Sequence, residues 1–225
     1  MNSNLNLFDS TVTVDQYITA FQETVIMVGV SLFIGALIGI PLAVILVITR
    51  PQGLRPQRWV YGILNVVINI IRSVPFIILM VSITPLTRLI AQTTIGTQAA
   101  LVPLTIFVAP FIARLIEGAL LDVDPGIIEA AETLGANTAQ TIWYFLLPEA
   151  KGSIILALTT ACIGLIGATA MAGTIGGGGI GDLAYTYGYQ QFDTVTVLVT
   201  VLMLIVIVQI IQSIGNHFSA HHWHR

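Results

Sequence analysis

Five long apolar runs alternate with shorter polar stretches along the chain of 225 residues. The first, residues 24–48, carries no charge and passes through Gly35, Gly39 and Pro41. A second covers 59–83 and is interrupted by Arg72, and a third covers 97–117, holding Pro103 and Pro110 and ending on Arg114 and Glu117. The fourth, 152–173, belongs to an uncharged stretch that reaches Gly181. The fifth, 194–214, is rich in Val, Ile and Leu and stops at Gly215. A spanning helix needs about 20 mostly apolar residues, so each run predicts one transmembrane helix. Proline and glycine inside a run do not exclude it, because neighbouring helices satisfy the freed backbone groups. The pattern predicts an all-α, polytopic membrane protein with five transmembrane helices in a single transmembrane domain over 1–225.

Composition agrees. The chain is 56% hydrophobic, with 8 Lys and Arg and 11 Asp and Glu, and its mean hydropathy is +0.92. Soluble domains carry about 25% charged residues, which disfavours a soluble enzyme. The single Cys162 cannot form an internal disulfide. A net charge of −3 gives no footprint for nucleic acid. Placement of the charges matters more than their number. The first basic residue is Arg50, so no charged leader opens a signal peptide and the first span is expected to be retained. Arg50, Arg55, Arg58, Arg114, Lys151 and Arg225 fall on one side of the spans and Arg88, in the 84–96 loop, on the other. Short cytoplasmic loops collect Lys and Arg, which predicts the N-terminus outside and the C-terminus in the cytoplasm.

Residues 118–151, between the third and fourth spans, form the longest stretch that is not membrane, and the pattern predicts two short helices there. Asp124 can cap the first and Pro125 is pre-organised at its first position. Gly135 can take the left-handed conformation that closes it. Asn137 with Gln140 forms a capping-box pattern for the second, which carries Ile142, Trp143, Phe145 and Leu146 before Pro148 interrupts. Ala130 and Ala131 allow close approach of another backbone, and Ile142 and Phe145 are expected to lie uncovered. An amphipathic connector resting on the membrane is the plainer alternative.

Glu129-Ala130-Ala131, Gly135 and Phe145-Leu146-Leu147-Pro148, in this spacing, resemble the EAA motif of permease subunits of bacterial ABC importers; Phe145 stands where that family commonly has Ile. The resemblance implies that segment 121–148 is the coupling element that inserts into a cytoplasmic ATPase, through Glu129, Ala130, Ala131, Gly135, Phe145, Leu147 and Pro148. The strings Arg72-Ser73-Val74-Pro75-Phe76, Gln98 to Leu104, Ala109 to Arg114, the glycine-rich Gly176 to Gly181 and Tyr187-Gly188-Tyr189 further resemble the methionine-import permeases, with permeases for quaternary amines and phosphonates as neighbours. What this implies is a multi-pass protein of the bacterial cytoplasmic (inner) membrane whose two copies form the pathway. Two copies of an ATPase that carries ATP and Mg, and an external substrate-binding lipoprotein, complete it. The chain itself needs no cofactor.

Other features are less specific. Gly176, Gly178 and Gly181 match G-x-G-x-x-G, but no strand precedes them and no phosphate-loop Lys follows, so they read as a flexible outer loop or gate. Arg72, with Ser73 and Pro75, is a candidate pathway position, with structural snorkelling or pairing as the plainer alternative: it lies about 21 Å along a helix from Arg58, beyond the middle of a straight span, or at the inner boundary if that helix first follows the interface. Arg114 and Glu117 can pair on one helix face. Gly35-x-x-x-Gly39 and the small residues Ala157, Ala161, Gly164 and Gly167 suit close packing, within one chain or between two. Asn65, Asn69, Thr159 and Thr160 are polar residues within spans that do not single out a site. His217, His221, His222 and His224 beside Trp223 and Arg225 read as an interfacial anchor more readily than as a metal site. Spans one, four and five lack Asp and Glu, which disfavours a secondary carrier or channel without an ATPase. A membrane-embedded enzyme is disfavoured because no nucleophile or paired carboxylates emerge.

Overall fold

The computed structural model describes residues 11–223. In chain order the helices are α1 (Val14–Thr49), α2 (Arg58–Ser73), α3 (Phe76–Ser82), α4 (Thr84–Ala91), α5 (Thr97–Leu121), α6 (Pro125–Thr133), α7 (Thr138–Gln140), α8 (Leu147–Glu149), α9 (Lys151–Gly173), α10 (Gly179–Leu183) and α11 (Thr194–Trp223). Wider, π-helical turns occupy Thr141–Leu146 and Ala184–Gln190. Among the described residues α1, α5, α9 and α11 are long and apolar enough to cross a membrane, and α2 with α3 makes a fifth span if the bent pair is counted as one. The expected anchor at Trp223 and Arg225, with His221, His222 and His224, falls outside the side chains described, while His217 is exposed on α11 with its ring edge against Phe218. Two compact units are distinguished, and α1, α5, α9 and α11 each contribute to both.

The first unit comprises Met1–Ser31, Pro75–Thr105 and Ile163–Ile210. Here α1 starts ten residues before the apolar run. The Gln16 side-chain oxygen Oε1 accepts the Thr13 amide at 2.8 Å, the returning half of a capping box, and no proline follows before Pro41. At 36 residues α1 is about 54 Å long. Val12, Ala20, Ile180 and Leu183 form a buried core against Tyr17, Tyr187 and Leu204. The expected 84–96 loop is in part helical, because Pro85 suits the first turn of α4, which Gln92 closes in the left-handed region (φ 58°).

The second unit comprises Leu32–Val74, Ile106–Cys162 and Ile211–Arg225. Gly39 lets α1 lie against α5, since a Cβ there would stand 2.7 Å from the Ala109 carbonyl oxygen. The Gly35-x-x-x-Gly39 pair is therefore used within the chain. Gly215 likewise brings α11 onto α9, 2.5 Å from Thr159 Cγ2 for a Cβ. The Ser219 hydroxyl donates to the Gly152 carbonyl at 3.1 Å. Leu46, Ile68 and Ala113 make the core with Leu42, Tyr61 and Leu64. Helix α2 is two-faced: Ile68 is buried whereas Trp59, Ile63, Val66 and Ile70 are exposed.

The straight second span expected over 59–83 is replaced by two helices bent by 103°. Pro75 is the reason. Its ring disfavours a helical conformation for the residue before it, and Val74 is extended (φ −86°, ψ 124°).

Candidate coupling surface and pathway residues

Segment 121–148 forms the two short helices that its sequence predicts, and hydrogen bonds fix both ends of the first and the start of the second. The Asp124 carboxylate accepts the Gly126 amide at 2.7 Å, and Pro125 occupies the first turn of α6. At the other end Gly135 is left-handed (φ 73°). Its amide donates to the Glu132 carbonyl at 2.9 Å and the Ala136 amide to the Ala131 carbonyl at 3.0 Å, the paired bonds of a Schellman closure. The capping box is complete: the Gln140 amide donates to Asn137 Oδ1 at 3.0 Å and the Asn137 amide to Gln140 Oε1 at 2.9 Å. Pro148 does not end the second helix. It has no N–H to offer the preceding turn, and the helix widens over Thr141–Leu146 before continuing.

This geometry changes which side chains are presented. Ala131 is fully buried and Ala130 and Glu129 are exposed. Ile142, expected to be uncovered, is buried, and Phe145 and Leu147 are half-buried. The widened turn instead leaves Trp143 (69% exposed) and Tyr144 (74%) outward, with Leu134 (76%) at the end of α6. Pro148 is exposed.

Arg72 and Ser73 are exposed at the last turn of α2, the Ser73 hydroxyl bonded to the Asn69 carbonyl at 2.7 Å, and Pro75 caps α3. Arg72 thus stands at a helix end and not in the interior of a straight span. The Arg114–Glu117 pair forms at 2.6 Å, with Glu117 6% exposed. Arg114 also donates to the side-chain oxygens of Asn65 and, at 3.1 Å, Asn69, joining α5 to α2. This gives Asn65 and Asn69 a defined role that composition alone did not single out.

The glycine-rich stretch is a packed turn. Gly176, Gly178 and Gly179 have φ of 86°, 77° and 80°, a conformation glycine adopts without a steric penalty. Glu23 Oε2 accepts the Gly179 amide at 2.7 Å and Thr24 Oγ1 the Ile180 amide at 2.9 Å. Gly96 donates to the Gly176 carbonyl at 2.7 Å. A Cβ on Gly181 would lie 2.5 Å from Ala170 Cα. The expected flexible loop is therefore held by α1 and by the turn before α5. Beyond it Asp193 caps α11, accepting the Thr196 amide at 2.9 Å and the Thr11 amide at 2.8 Å. Burial would raise this carboxyl, but the amides and hydroxyls of Thr196 and Thr11 outweigh it and lower its pKa to about 2.

The family whose description is "binding-protein-dependent transport system inner membrane component" matches residues 35–221. A probable D-methionine transport system permease protein of Vibrio cholerae is 50% identical over 202 residues, covering 90% of each chain. The methionine import system permease protein of Bacillus subtilis is 42% identical over 172 residues, 76% of this chain and 78% of its own. Among solved structures, an inward-facing conformation of the MetNI methionine ABC transporter matches with a TM-score of 0.92 at 39% identity, over 95% of this chain and 99% of that one. An amino acid ABC transporter solved with histidines matches with a TM-score of 0.76 over 92% and 94%; at 20% identity this shows a common fold alone. Matched over most of its length by the family model, this chain, helical without strands among its described residues, belongs to the inner membrane components of binding-protein-dependent transport systems and is a transport subunit, not an enzyme.

Proposed function

We propose that two copies of this chain form the translocation pathway of an ATP-driven methionine importer, with two copies of a cytoplasmic ATPase and an external substrate-binding lipoprotein. The observation that carries the reading is the doubly capped segment 121–148, which holds Leu134, Trp143 and Tyr144 outward as a rigid, apolar docking surface. Its side of the spans collects six of the eight basic residues, which supports a cytoplasmic position, an external N-terminus and a cytoplasmic C-terminus. The methionine assignment is supported by the names of the relatives; a quaternary amine or a phosphonate is the runner-up.

In this reading ATP and Mg bind the ATPase, whose closure moves the docked segment as one body. Capping makes the motion transmissible, because a frayed helix end would absorb it. Arg72, Ser73 and Pro75, at the α2–α3 break, are the proposed pathway positions, and the Gly176–Gly181 turn is the proposed outer loop or gate. The test is uptake into proteoliposomes holding the chain, the ATPase and the binding protein: methionine should enter only with ATP, and betaine and phosphonate should not compete. Uptake without the ATPase would overturn it. A cysteine placed near residue 5 should label from the outside; labelling from the cytoplasm alone would reverse the topology.

A further inference from the structure

We propose that the second unit carries a binding groove for one anionic phospholipid, formed by α1, α9 and α11. The groove has a volume of about 360 Å³ and is lined by Leu32 of α1, Ile155, Leu158 and Cys162 of α9, and Ile214 and Phe218 of α11. Thr159 also borders it, but its hydroxyl is spent on the Ile155 carbonyl at 2.8 Å. The lining is thus hydrocarbon almost throughout, with the Thr159 proton already donated and the Cys162 thiol only a weak hydrogen-bonding group, which suits an acyl chain better than a polar solute.

Charge decides between the two apolar occupants a membrane offers, a lipid chain and a helix of a second copy, because a cation stands at the end of the groove. Charge supplies the head. Lys151, Ile155, Leu158 and Cys162 follow one another at spacings of four, three and four, which puts them on one face of α9. The exposed Lys151 therefore stands one turn beyond the groove on the same face, where its ammonium meets a lipid phosphate while its stem lies along apolar surface. At that end the Ser219 hydroxyl ties α11 to the Gly152 carbonyl, so the two walls are fixed relative to each other. A basic side chain at the cytoplasmic mouth of an interhelical groove is a recognised geometry for anionic headgroups. The choice of the inner leaflet rests on the orientation proposed above; the groove itself does not.

The test is native mass spectrometry of the full-length chain purified in detergent and equilibrated with phosphatidylglycerol or phosphatidylcholine. Neither ATPase nor substrate is needed, so the result stands apart from the importer reading. Phosphatidylglycerol should be retained at one per chain in preference to phosphatidylcholine. Lys151→Gln should weaken retention about fivefold, the effect expected of one Lys at an anionic surface. Cys162→Phe and Leu158→Trp, which fill the groove by different side chains, should abolish it, while Arg55→Gln should leave it unchanged. Equal retention of both lipids, or the same loss in Arg55→Gln as in Lys151→Gln, would overturn the site. So would oxidative cross-linking of Cys162 between two copies, which would put a second chain where the lipid is inferred.

Discussion

Gly135 separates a conformational requirement from a steric one. Its φ of 73° lies in the left-handed region, and a Cβ built there meets nothing within 4 Å. Any loss on replacement by Ala must therefore come from the backbone, where the left-handed conformation costs an L-residue roughly 1–2 kcal/mol. That is a factor of about 5–30 in the population of the closed, two-helix form. Asn tolerates the same conformation and adds more bulk than Ala. Gly135→Ala should weaken binding of the purified ATPase to the chain in nanodiscs about 5- to 30-fold, and Gly135→Asn should recover most of that. ATPase-dependent uptake should follow the same order. If Ala binds as well as Gly, or if Asn is as poor as Ala, the left-handed closure is not what shapes the docking surface.

Other changes are expected to act by other physics. Gly181→Ala puts a Cβ 2.5 Å from Ala170 Cα, so Asn or any other residue should fare no better than Ala, and thermal unfolding in detergent should show a large drop for each. Arg114→Leu leaves Glu117, 6% exposed, without its cation, a loss of about 3–5 kcal/mol; Arg114→Leu with Glu117→Leu should be more stable than Arg114→Leu alone in a double-mutant cycle. Asn137→Ala removes one half of the capping box and should cost about 1 kcal/mol, read as a lower melting point with lower ATPase affinity. The Asp193 carboxyl lies below its ordinary value of 3.8, at about 2. Its stabilising effect should be full above pH 4 and lost as pH falls from there through 2. The melting-point difference between the native chain and Asp193→Asn should shrink over that window and stay constant above it.

The hydrophobic pattern places the cores of all five apolar runs and the two capped helices between the third and fourth, because burial in lipid and capping leave local marks. Asp124-Pro125, Gly135 and Asn137 with Gln140 each act within a few residues of themselves, and each forms the bond its pattern predicts. The failures are of another kind. Thr13-x-x-Gln16 was a local signal for the start of α1 that the polarity of the following residues concealed. Val74-Pro75 was a local signal for the break in the second span, masked by continuous apolarity. Trp143 and Tyr144 point outward because of a π-helical turn, and an ideal 3.6-residue period does not foresee the shift. The holding of Gly179 by Glu23 and of Arg114 by Asn65 and Asn69 joins residues far apart in sequence, and no local pattern encodes such partners.

The central claim is that segment 121–148 transmits the work of an ATPase to the membrane helices. Its most direct test is ATP-driven uptake of labelled methionine by proteoliposomes containing the chain, the ATPase and the binding protein, measured beside ATP hydrolysis in the same vesicles. With Trp143→Ala and Tyr144→Ala together, which remove the exposed aromatic surface without touching a cap, uptake should fall at least tenfold and its stimulation of hydrolysis should disappear, while membrane insertion is retained. Undiminished, ATP-dependent uptake by that variant would contradict the account.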